Sequence, residues 1–172
     1  MFSKILPYNV ELINMREFTE EERAFMGLAL DEARTAYEKN EVPIGAVLVY
    51  ENRVLARAHN QVEFFKDATC HAEILCIKEA VKNLGDFRLS GATLFVTIEP
   101  CIMCFGASIL SRIKKIIWGC SDKRHGALGG LIDLSSLKHP IHQIETESGL
   151  MEKEAKDLIQ TFFRNRREEN KR

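Results

Sequence analysis

The sequence is short of several things, and each shortage narrows what the protein can be. It carries no excess of charge: 24 Lys and Arg stand against 25 Asp and Glu, for a formal net charge of −1. A nucleic-acid partner would have to be met by a local basic surface, not by a basic chain as a whole. No apolar run approaches the roughly 20 residues that cross a bilayer. The first fifteen residues, MFSKILPYNVELINM, are broken by Pro7, Asn9 and Glu11 before any apolar stretch reaches leader length, so no secretory signal is expected. Cysteine is scarce and odd in number, at five. These absences imply a reducing, cytoplasmic setting. There, cysteines at short spacing act as metal ligands or catalysts more readily than as crosslinks. Internal repeats and low-complexity segments are missing as well.

What is there is a chain of 172 residues with 45% hydrophobic content, enough for one well-filled core and too little for two. Residues 1–18 precede the periodic pattern and are read as an N-terminal extension. Residues 19–172 are read as a single domain. Thr19 and Glu22 form a capping box ahead of Phe25, Leu28, Ala29, Ala33, Ala36 and Tyr37 at helical spacing. That helix should stop near Asn40, before Pro43. IGAVLVY (44–50) and RVLARAH (53–59), separated by Glu51 and Asn52, read as a β-hairpin. A helix over 71–84 should end at Gly85. TLFVTI (93–98) reads as a strand buried on both faces, 101–112 as a helix, and KIIWGC (115–120) as a further strand. A short strand is expected near 141–146 and a last helix over 150–168. Helices alternating with strands predict an α/β fold: a mixed sheet with helices on both faces.

One stretch, TIEPCIMC (97–104), carries chemistry. Cys101 and Cys104 are three apart at a helix start, so they share a face, and Pro100 suits the first turn. A helix N-terminus favours the thiolate, the form that binds metal. A structural zinc site takes four protein ligands, whereas a catalytic one takes three and leaves a position open. His71 is the obvious third ligand. Cys70 would diverge from His71 by about 100° on a helix, and Cys76 and Cys120 fall in no second Cys-x-x-Cys; all three read as small packing residues. Glu73 lies two residues after His71. The two can converge only where helical geometry loosens, at the helix start, for which Asp67 and Thr69 are candidate caps. A carboxylate beside the open position can accept a proton from water. A redox dithiol or a closed structural site would leave Glu73 without a purpose.

HAE (71–73) with PCIMC (100–104) matches the H-x-E…P-C-x-x-C pattern of the zinc nucleobase deaminases. Within them the chain resembles the bacterial tRNA adenosine deaminases from about Ala24 to about Arg167. The match includes NEVPIGAVLV, the HN of 59–60, TLFVTIEPCIMC, SRIKKIIWG, HGALGGLIDL and FFRNRR. It departs at Ala68 and Cys70, where relatives often have Pro and Ala, in the loop QVEFFKD (61–67), and at Ser121, where relatives can carry Arg.

The resemblance implies a three-layer α/β/α fold with a central mixed five-stranded sheet, as in cytidine deaminases. It implies one Zn²⁺ per chain on His71, Cys101 and Cys104. Glu73 would move protons while water attacks C6 of an adenine, so that adenosine becomes inosine. The implied substrate is the wobble adenosine of a tRNA anticodon stem-loop, whose unstacked bases are cheap to extrude. Asn60 would bond the flipped nucleotide, with the backbone around Ile98 and Glu99 near the leaving group. Asp122 would approach a ribose 2′-hydroxyl. Arg124, Phe162, Arg164, Arg166 and Arg167 are further candidates for contact with RNA. A homodimer sharing the RNA is also implied. Structural readings compete for each of these: Asn60 as a strand-end cap, Asp122 as a turn cap, and the basic tail as a complement to the helix dipole. GALGG (126–130) lacks the Gly-Lys-Ser/Thr of a phosphate loop and reads as a rim of the site. Two other functions remain: deamination of a free base or nucleoside such as cytosine or guanine, and a non-catalytic zinc-stabilised RNA-binding subunit.

Overall fold

The computed structural model describes residues 17–170; the expected extension over 1–18 lies outside the described residues except for Glu17 and Phe18. Helix α1 (Glu20–Glu38) starts at the full capping box, with Glu22 N–H donating to Thr19 and Thr19 N–H to the Glu22 carboxylate. Asn40, in the left-handed region at φ 58°, turns the chain away before Pro43. Strands β1 (Gly45–Tyr50) and β2 (Arg53–His59) pair antiparallel. Glu51 and Asn52 between them have φ values of 48° and 59°, the double left-handed turn whose twist suits a two-residue hairpin.

A short helix α2 (Val62–Phe65) follows, then α3 (Ala72–Leu84), which ends on Gly85 at φ 75°. Next come β3 (Thr93–Ile98), α4 (Ile102–Leu110), β4 (Lys115–Cys120), β5 (Glu145–Ser148) and α5 (Glu152–Glu169). The sheet order is β2-β1-β3-β4-β5, antiparallel across β2/β1/β3 and parallel across β3/β4/β5. This is the mixed five-stranded sheet that was expected. Its alternating side chains feed two cores. Ala46, Leu48, Leu94, Val96 and Ile116 face α3 and α4, where they meet Cys76, Ala80 and Ile109. Val47, Val49, Phe95 and Ile117 face the other way, onto Met26 and Ala29 of α1 and Leu150.

Several local expectations need correction. The last strand is Glu145–Ser148, a few residues later than 141–146. Pro100 lies outside α4, one position before its N-cap Cys101, where a missing N–H costs the helix nothing. Asp67 and Thr69 do not cap α3. Asp67 accepts from the Thr69 N–H and hydroxyl in a tight local turn, and these bonds hold its carboxyl below the usual range. Helix α2 falls inside the segment expected as a loop, because four residues carry no periodicity to detect.

Candidate active site

Strands β3 and β4 run parallel and side by side, with Ile98 in register with Cys120. The crevice beyond the carboxyl ends of such strands is where α/β sheets hold ligands. The chain leaving β3 reaches it at once. Cys101 is the N-cap of α4 with extended backbone (φ −75°, ψ 172°), and Cys104 sits one turn inside, so both sulfurs face the crevice. From the opposite direction α3 begins with His71 as its N-cap, again extended (φ −71°, ψ 152°). Neither cap side chain bonds its own helix, which leaves both to meet each other.

His71 Nδ1 lies 3.6 Å from Cys101 Sγ and 3.5 Å from Cys104 Sγ. Zn–N near 2.05 Å and Zn–S near 2.3 Å at tetrahedral angles put N and S about 3.5 Å apart. The separations thus fit a tetrahedral zinc ion, which His71, Cys101 and Cys104 would hold. Among the described residues these three ligand atoms, all within 4.8 Å of one another, form the metal-binding cluster.

A hydrogen bond from Cys104 draws the Cys101 thiol down to about 4, and the same bond, with burial, pushes the Cys104 thiol far up. The bond to Cys101 raises His71, against the opposing effect of burial. The lowered Cys101 thiol favours the thiolate, the form that would bind a metal ion.

Glu73 is the second residue of α3, and the extended backbone at His71 is what lets the two side chains converge despite their spacing. Glu73 is buried, and its Oε2 has no hydrogen-bond partner among the described residues. Burial pushes its carboxyl up. A buried carboxyl poised to hold or release a proton, two residues from a ligand of a three-residue cluster, suits proton transfer beside a metal held there.

Two further carboxylates shape the rim, and neither is legible in the sequence as a buried acceptor. Glu99, 3% exposed, accepts from the backbone N–H groups of Asp122 (2.9 Å), Leu128 (2.7 Å) and Gly130 (2.9 Å). The GALGG loop wraps it so closely that a methyl group at Gly130 would lie 2.6 Å from Glu99 Oε2, and one at Gly126 2.5 Å from Oε1. The loop is tied to the ligand segment as well: Gly126 bridges to Cys101, and Ala127 N–H donates to the Pro100 carbonyl. Glu41, 1% exposed, accepts from Asn60 Nδ2 (3.2 Å) and from the N–H groups of Glu63 (3.1 Å) and Phe64 (2.7 Å). Glu99 directly before Pro100, and Glu41 two residues before Pro43, are the only signals the sequence offered for either.

Asn60 is buried at the end of β2. Its amide nitrogen donates to Glu41, which fixes the orientation of the side-chain amide. Asp122 does cap its turn, accepting from Arg124 N–H (2.8 Å) and from His125 Nδ1 (3.2 Å). Arg124 is exposed, as are Arg164, Arg166 and Arg167 on the last turns of α5. Phe162 is the outlier among the sequence candidates. Its ring is 5% exposed and packs edge-on against Tyr37 at 5.7 Å, while Phe163 beside it is 39% exposed. Of the other cysteines, Cys76 is fully buried and donates to the Ala56 carbonyl, and Cys70 is buried just ahead of His71.

The fold and this donor set define a hydrolytic deaminase that uses zinc. Residues 19–120 match the family model of the cytidine and deoxycytidylate deaminase zinc-binding region, and the chain belongs to that family. Zinc is therefore its cofactor, and His71, Cys101 and Cys104 are positioned to hold one ion. Among curated relatives, the chain is 46% identical over 151 residues to the tRNA-specific adenosine deaminase of Bacillus subtilis (strain 168), covering 88% of this chain and 94% of that one. A solved tRNA:A34 deaminase, studied for A-to-I editing at the wobble position of transfer RNA, superposes with a TM-score of 0.75 at 44% identity. That match covers 78% of this chain and 98% of the other. The guanine deaminase of Nitrosomonas europaea superposes with a TM-score of 0.69 over 94% of this chain and 95% of its own. At 23% identity it shares the fold alone.

Proposed function

We propose that the protein deaminates adenosine to inosine at the wobble position of a tRNA anticodon. Support comes from the tRNA-specific relatives, which match nearly the whole chain. The single observation that carries the chemistry is Glu73, a buried carboxyl with an unpartnered oxygen next to the His71, Cys101 and Cys104 triangle. Zinc held there supplies a Lewis acid that makes water nucleophilic at neutral pH. Glu73 accepts a proton from the attacking water and passes protons to the ring nitrogen and the departing amino group, so that adenosine and water yield inosine and ammonia. Asn60, its amide turned by Glu41, accepts a hydrogen bond from the extruded nucleotide. Asp122 receives the 2′-hydroxyl of the neighbouring ribose. Arg124 and the α5 cations Arg164, Arg166 and Arg167 neutralise phosphates, and Phe162 backs the α5 side of the groove.

Residues 19–172 act as one deaminase domain behind the extension 1–18, and the enzyme works in the cytoplasm, where reduced thiols keep the zinc ligands competent. It works as a homodimer. Ile102 and Leu110 of α4, together with Leu131 and Ile132 after the rim loop, are exposed apolar side chains suited to a second copy. One assay panel tests the activity. Purified zinc-loaded protein is given an anticodon stem-loop bearing a wobble adenosine, free adenosine, cytosine and guanine. Inosine should form only in the stem-loop. Preferred turnover of a free base or nucleoside would overturn the tRNA reading, and no turnover of any substrate would favour a non-catalytic role.

A further inference from the structure

The loop between β2 and α3 presents two phenylalanine rings to solvent. Phe64 is 75% exposed and Phe65 53%, and their centroids lie 4.9 Å apart at 80°. Single exposed hydrophobes need no explanation, but two rings in edge-to-face contact on a fixed backbone form a surface. The backbone is fixed from three sides. Glu41 holds the N–H groups of Glu63 and Phe64. Gln61 N–H closes the loop onto the Cys70 carbonyl, one residue before His71. Lys66, left-handed at φ 53°, ends the short helix. The same Glu41 carboxylate holds Asn60, so rings and nucleotide-binding amide share one anchor.

Phe64, with Phe65 packed against it, borders a groove of about 550 Å³ that is also lined by Lys39, Gln61, Glu63 and Arg166. Beside it lies a smaller cavity of about 250 Å³ between Val42, Phe163 and Arg166. An apolar face flanked by Lys39 and Arg166 fits a ligand that is flat and apolar on one part and anionic on another. An unpaired nucleobase on its phosphate backbone has that chemistry.

We propose that Phe64 and Phe65 form a stacking platform for an unpaired base of the RNA directly flanking the target adenosine; this rests on the tRNA reading above and adds a base-binding subsite to it. Stacking on an aromatic ring is worth roughly five-fold to a hundred-fold in affinity per base. It tolerates any base, so the platform holds the strand in place without selecting its sequence.

The test uses the full-length zinc-loaded protein and an anticodon stem-loop carrying 2-aminopurine at each flanking position in turn. Wild type should quench the fluorophore at one position. The Phe64→Ala/Phe65→Ala double variant should lose that quenching and raise KM for the stem-loop by about tenfold, with kcat and zinc content held. Phe64→Leu/Phe65→Leu, which keeps the apolar bulk and guards against misfolding, should behave like the alanine variant; Phe64→Tyr should behave like wild type. If wild type deaminates the stem-loop but quenching and KM are the same in all variants, the platform is overturned and the tRNA reading stands. If wild type leaves the stem-loop adenosine intact, the tRNA reading fails first. A shift in sedimentation of the alanine variant, with KM unmoved, would assign the rings to contact with a second copy and overturn the proposal too.

Discussion

At the scale of single residues, Glu73 carries opposed costs and uses. Its ionised form is buried with one oxygen unpartnered, which costs stability, and the same poise suits it to proton transfer. Glu73→Gln keeps the shape and cannot carry protons. Zinc content and RNA affinity should stay near wild type, while kcat falls by at least about a hundred-fold. Activity within tenfold of wild type would remove Glu73 from the shuttle. The pH dependence of stability follows with a definite sign. A carboxyl raised by burial binds its proton more tightly folded than unfolded, so stability falls as pH rises from the unfolded value towards the folded one. Melting curves should show Glu73→Gln at or above wild type at pH 8, with the gap closing towards pH 4. Asp122 is the second residue-scale case, because it already caps the turn to Arg124 and His125. Asp122→Asn keeps the oxygen that Arg124 needs and drops the charge. The ratio of kcat/KM for an RNA stem-loop over the same sequence as DNA should narrow, mostly through better use of DNA. A ratio that does not move leaves Asp122 as a turn cap.

At the scale of elements, the site is two helix starts brought to the end of one parallel strand pair. Zinc is the tie between them, so Cys101→Ser or Cys104→Ser should lose metal and melt well below wild type, and chelation of wild type should reproduce the loss. Full zinc in both variants, by elemental analysis, would refute the ligand assignment. The elements were legible where a periodic pattern or a left-handed residue marks them: the capping box at Thr19, the Glu51-Asn52 turn, Gly85, and the strands at 93–98 and 115–120. The ligands were legible because their spacing is fixed by coordination chemistry. Glu41 and Glu99 were not, since a carboxylate is rarely buried and all but one of their partners are backbone N–H groups, which leave no trace in the order of side chains. Helix α2 and the true position of β5 were hidden by brevity. Glu99→Gln should retain zinc but leave one of three backbone donors facing an amide. A loss of about 1–3 kcal/mol in stability and reduced kcat/KM on the stem-loop are expected. Unchanged values for both would mean that the rim holds itself.

At the scale of the whole molecule, a chain of net charge −1 must attract a polyanion through a local surface. The exposed arginines on the last turns of α5 supply one, and truncation after Phe163 removes them. The slope of log K against log salt should drop by roughly 0.7 to 0.9 for each lost phosphate contact; an unchanged slope would reduce the tail to a solvated helix end. Both loops that border the site are held from beneath by a carboxylate that grips main-chain N–H groups almost exclusively. Such a clamp is blind to the side chains the loop displays. Provided Gly126 and Gly130 stay small, the outward positions can be exchanged freely while the loop keeps its path, so the fold carries an editable reading surface above a constant reaction chamber. Exposed positions such as Ser121 and Lys123 can then vary with no cost to the zinc chemistry below.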